Sequence, residues 1–121
     1  MSNVSMTDLV AVRLYFPASA RANRSRFWHH LSAPALAHHL LKVARQAGIE
    51  QAILHHVDAG YLKGQRLSHH HPEASAMEHP QCLELVDQRS TLEAFLTEHA
   101  TELRKVRVLM LACDTPSLAP A

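Results

Sequence analysis

With 121 residues, 47% of them hydrophobic and 19% charged, the chain has the composition of one packed globular domain and not of a disordered segment. Twelve basic against eleven acidic side chains leave a formal charge of +1, which excludes a broad electrostatic footprint for nucleic acid or an anionic membrane. Two cysteines, Cys82 and Cys113, are too few for a disulfide framework, and no stretch approaches the roughly 18 apolar residues of a membrane span. The expected setting is soluble and cytoplasmic, since the start "MSNVSMTD" lacks the basic and apolar regions of an export signal.

In chain order, "LVAVRLYF" (residues 9–16) alternates Val10, Val12, Leu14 and Phe16 with Ala11, Arg13 and Tyr15, the period-2 pattern of a strand. Residues 17–31 carry arginines and no period, and read as a connection. "SAPALAHHLLKVARQAG" predicts a helix with Ser32 as N-cap, Pro34 in its first turn and Gly48 just past its end. Its apolar face is expected on Leu36, Leu40, Val43 and Ala47. "QAILHHV" (51–57) predicts a second strand, and "GYLKGQRLSHHHPEASAMEHP" (60–80) a long loop, part of an arm spanning 58–81. "CLELVD" (82–87) predicts a third strand. The helix that follows has Ser90 and Glu93 at capping-box spacing and an apolar stripe through Leu92, Phe95, Leu96, Ala100 and Leu103. "KVRVLML" (105–111) predicts the last strand. Residues 1–8 and 112–121 are expected to be flexible ends of a domain spanning 9–111.

Strand, helix, strand, loop, strand, helix, strand is an α+β order. With right-handed crossovers it folds as a ferredoxin-like βαββαβ domain: a four-stranded antiparallel sheet of order 4-1-3-2 with both helices on one face. The other face then carries Ala11, Arg13, Glu84, Arg107, Leu109 and Leu111. That mixture is too apolar to leave wet, so oligomerisation through the sheet is expected. Arg13, Glu84 and Arg107 fall on neighbouring strands and are expected to form an ion-pair cluster.

"VRLYF", "ARQAGIEQA", "DAGY", "HPQCLELVD" and "STLEAFL" occur in the order and spacing of the PII-like proteins. Over residues 10–111 the chain resembles a small family catalogued as a domain of unknown function related to the nitrogen-signalling PII trimers. The resemblance implies a homotrimer with its sheets at the centre. It also implies that the 60–80 segment corresponds to the mobile T-loop through which PII proteins touch partner proteins, here a transporter or an enzyme. Adenine nucleotides (ATP, ADP or AMP) are then the expected effectors, in the clefts between subunits near the loop base. The corresponding ligand-binding residues are Gly60, Tyr61, Lys63 and Gly64, with His56, Arg104 and Lys105. Two departures are visible: Val57 and Leu62 stand where glycines are expected, and "TELRKVRV" replaces the phosphate-holding glycine and lysine motif.

Eleven histidines are the compositional anomaly. His69 and His71 in the loop are candidate ligands for Zn or Ni, which gives a second reading, a metal-binding or metal-tolerance trimer. His38, His39 and His99 are expected to be structural on the helices, and His29 and His30 beside Trp28 to anchor the first connection. The sequence carries no GxSxG elbow, Walker sequence, HExxH or dinucleotide fingerprint, so no enzymatic role or required cofactor is expected.

Overall fold

A computed structural model describes residues 8–22, 34–69 and 77–118. The expected cap Ser32, the connection bearing Arg24, Arg26, Trp28, His29 and His30, and the loop histidines His70 and His71 lie outside the described residues. So do residues 1–7 and 119–121.

The main sheet is built from β1 (Leu9–Pro17), β2 (Gln51–His55), β5 (Pro80–Gln88) and β6 (Arg107–Ala112). All its pairings are antiparallel and the order is β2-β5-β1-β6, the neighbour relations the sequence predicts. With helices α1 (Leu36–Gln46) and α2 (Arg89–Glu98), this is a mixed α and β architecture consistent with the ferredoxin-like expectation.

Alternation decides which face is covered. Leu14 lies opposite Leu83 and Val12 opposite Leu85, so these four, with Val10 and Phe16, share one side of the sheet. Leu36, Leu40 and Ala44 of α1 and Leu92 and Phe95 of α2 close over that side in one buried cluster. Each such large side chain contributes roughly 1.5–3 kcal/mol of transfer free energy on burial.

The helix ends depart from the sequence reading in instructive ways. α1 starts at Leu36, with Ala35 as an N-cap that offers no side chain. The Leu36 N–H is satisfied by the chain itself, donating to the Ala20 carbonyl at 2.9 Å where Ala35 bridges to Arg21. At its other end Gly48 takes φ +79°, and Ile49 and Gly48 donate to the Ala44 and Arg45 carbonyls, the Schellman arrangement that the glycine foretells. Ala44 is buried, Val43 only partly so and Ala47 exposed, so the buried stripe follows Leu36, Leu40 and Ala44 and departs from the expected one after Leu40.

In α2 the expected capping box is absent: Gln88 is the N-cap, without a side-chain bond, and Ser90 falls inside the helix. β5 runs directly into α2, and the junction is held by Asp87, whose carboxylate accepts from the N–H of Gln88 at 2.6 Å and of Glu50 at 2.8 Å. The helix stops at Glu98, and residues 99–105 form successive turns, closed by N–H bonds from Glu102 and Leu103 to the His99 carbonyl. Leu103 still joins the core, but from a turn and not from a helical stripe.

The arm is also more ordered at its root than a plain loop. β3 (Ala59–Gly60) pairs with β4 (Ser68–His69), and a tight turn inside this hairpin puts Gly64 at φ +82°, with Gln65 N–H donating to the Leu62 carbonyl. His79, buried, secures the root to the body: its Nε2 lies 2.6 Å from the Val57 carbonyl, which can only accept, and its Nδ1 lies 2.8 Å from Ser68 Oγ.

Candidate functional site

A basic cleft of about 690 Å³ opens between the root of the arm and the turn before β6. Tyr61 and Lys63 line it from the arm, Arg104, Lys105 and Arg107 from the turn and the start of β6, and Tyr15 from β1. Among the described residues its lining contains four cations and no carboxylate. Local chain geometry explains the convergence. The Gly64 turn reverses the arm, and Tyr61, Leu62, Lys63 and Gln65 around it line the cleft, while the turns after α2 present consecutive cationic side chains from outside a helix. Tyr61 is exposed, so its ring is available to a ligand at no cost in core packing.

Four of the sequence-derived ligand residues, Tyr61, Lys63, Arg104 and Lys105, are thereby brought together. The others are placed differently. Gly64 serves the turn and does not line the cleft. Gly60 does not line the cleft either; a Cβ there would meet Pro80 and Val57 at ordinary contact distance. His56 follows the last residue of β2 and lines a separate cavity of about 300 Å³, beside His79 and Pro80. His69 is an exposed residue of β4 opposite Ala59; its expected co-ligand His71 is outside the described residues. Arg21 donates to the carbonyls of Ala18 and Ala20 and so stabilises its own turn.

The uncovered face of the sheet holds the expected ion pair with a different third member. Arg13 Nε donates to Glu84 Oε2 at 2.9 Å, and His55 Nε2 lies 3.6 Å from Glu84 Oε1. Arg107 does not join them, because the register sets it opposite Tyr15, a step beyond Arg13. The Arg13 hydrogen bond holds the Glu84 carboxyl below its ordinary range, against the opposing effect of partial burial, and the same bond raises Arg13. Cys82 also belongs to this face, between Tyr15 and His55, and not to the helix-covered core. Burial pushes its thiol up, which disfavours the thiolate a nucleophile needs.

One constellation was invisible in the sequence. His39 of α1, His99 at the end of α2 and Glu102 in the following turn converge, with donor atoms all within 4.8 Å of one another. Only the packing of α1 beside the turn brings them together, and no local spacing signals it.

A model of the family described as "Uncharacterized ACR, COG1993" (DUF190) matches residues 18–115. The chain belongs to this family of uncharacterised proteins. A search of curated proteins returned no match. Among the described residues no helix is long and apolar enough to cross a membrane.

Proposed function

We propose that the protein is a PII-like cytoplasmic regulator, a homotrimer that binds a small anionic effector in the basic cleft and signals through the 60–80 arm. The observation that carries this reading is the joining of Tyr61 and Lys63, on the arm, with Arg104, Lys105 and Arg107, on the body, around one cleft that has no carboxylate among the described residues lining it. An anion held between them contacts both parts, so it favours the arm position in which both sets of contacts form. The cations suit phosphate oxygens and the tyrosines suit a planar base, which supports an adenine nucleotide, the effector expected from the PII-like resemblance. The charged side chains take the place of a glycine cradle, in keeping with Val57 and Leu62 at the arm root.

The trimer is supported by the uncovered face, where Ile53, Leu109 and Leu111 are each about 40% exposed beside Ala11 and Val86. The role is binding and not catalysis, and the partner is a transporter or enzyme that reads the arm.

The test is the melting temperature and the protease sensitivity of the arm with ATP, ADP, AMP and cyclic AMP. One nucleotide should raise the melting temperature by several degrees and protect the arm. Both effects should be lost in the Tyr61→Ala and Lys105→Ala variants. Saturating nucleotides that leave arm cleavage unchanged would overturn the proposal.

A further inference from the structure

Glu102 accepts from two imidazoles at once. His39 Nε2 lies 2.9 Å from its Oε2 and His99 Nδ1 lies 3.3 Å from its Oε1. The three side chains are largely shielded, with exposures of 25% for His39 and 14% for His99 and Glu102. Each is fixed by a separate element. His99 packs on Phe95 with ring centroids 4.5 Å apart, and His39 meets the His99 ring edge-on, the planes 79° apart at 6.5 Å. Two nitrogens and a carboxylate therefore point at a common centre before any ion is considered.

We infer that His39, His99 and Glu102 form a divalent transition-metal site, with zinc or another imidazole-preferring ion as its ligand. Metal bonds of about 2.0–2.2 Å in a tetrahedral shell set neighbouring donor atoms roughly 3.3–3.5 Å apart. The two nitrogen to oxygen spacings, 2.9 and 3.3 Å, lie at or just below that range and all three donors fall within 4.8 Å of one another, so side-chain rotations suffice to admit an ion. The donor set selects the metal class. Two imidazoles with one carboxylate suit Zn, Ni, Co or Cu and not Mg or Ca, which take oxygen ligands. Three protein ligands leave a coordination position for water or a ligand from outside. Since the donors span α1, the end of α2 and the next turn, the ion would clamp the two helices together. It would also brace the turn that shortly afterwards supplies Arg104 and Lys105 to the cleft. This site uses none of the loop histidines and stands independently of the effector proposal.

The experiment uses chelator-stripped full-length protein in which His69, His70 and His71 are all replaced by alanine, so that the loop cannot contribute. Zinc is titrated in competition with a chromophoric chelator, and cobalt is added to read the ligand field from visible absorption. One equivalent per chain is expected, with affinity falling at least tenfold in each of His39→Gln, His99→Gln and Glu102→Gln. Circular dichroism confirms that each variant is folded; His39, on the helix surface, provides the variant least able to disturb the core. Absence of stoichiometric binding in the loop-alanine protein, or affinities unchanged in the folded variants, would overturn the inference and leave a purely hydrogen-bonded trio.

Discussion

The two faces of the main sheet are made from alternate residues of the same strands and yet have different fates. On one side Val10, Val12, Leu14, Phe16, Leu83 and Leu85 lie under two helices and are essentially inaccessible. On the other, Ala11, Arg13, Tyr15, Glu84, Leu109 and Leu111 have no covering element among the described residues, and Leu109 and Leu111 remain about 40% exposed. The difference teaches that one strand pattern can encode two kinds of surface. The covered face supplies folding stability within the chain. The uncovered face supplies a patch of mixed character, with an ion pair at its centre that fixes lateral register more than it adds stability. The cleft is lined by the arm, β1 and the approach to β6, whereas the imidazole trio belongs to α1 and the end of α2 with its following turn.

Mutations break this comparison most strongly on the covered face. Leu83→Ala should cost about 2–5 kcal/mol, because it removes a buried side chain and leaves a cavity between sheet and helices. Leu109→Ala, on the uncovered face, should cost the isolated chain under about 1 kcal/mol. Urea unfolding of the two variants measures the contrast, and equal losses would show that both faces are buried in the protein as it exists in solution.

A smaller effect on the fold, but a large one on assembly, is expected from Leu109→Asp with Leu111→Asp. If the uncovered faces meet at the centre of a trimer, two carboxylates there should shift the sedimenting species to the monomer while far-ultraviolet circular dichroism is retained. An unchanged sedimentation coefficient would remove the uncovered face from the assembly.

The smallest effect is expected from the ion pair. Glu84 has a folded value below its ordinary 4.5, so its contribution is complete above that pH and is lost as pH falls through the lower folded value. Glu84→Gln should therefore lower the melting temperature slightly at pH 7, and the gap from the parent should close on acidification below about pH 4.5. A gap that stays constant with pH would assign the loss to packing and not to charge.

Much of this architecture was legible locally. Period-2 alternation in "LVAVRLYF" specified both the strand and the division of its residues between two faces, and Gly48 marked the end of α1 through its positive φ. The order of elements constrained the sheet, since short right-handed connections leave few alternatives. Tyr61, Lys63, Arg104 and Lys105, candidate ligand residues through the PII-like resemblance, line one cleft.

Other features depend on partners that sequence spacing does not identify. Ser90 and Glu93 have the spacing of a capping box, but β5 enters α2 without a break and Asp87 takes the junction N–H instead. Strand adjacency groups Arg107 with Arg13 and Glu84, but the β1 and β6 register sets it opposite Tyr15, two residues along from Arg13, and the β2 and β5 register is what brings His55 near Glu84. The His39, His99 and Glu102 trio exists only because α1 packs beside the turn after α2. Local propensity and alternation are properties of neighbours in the chain, and the sequence by itself determined what depends on them: the elements, their order and the buried side of β1. Cross-strand register, the ion-pair partners, the shape of the basic cleft and the meeting of two imidazoles with a carboxylate come from long-range packing, where an error of one residue or one turn changes the partner, so only the tertiary structure decided them.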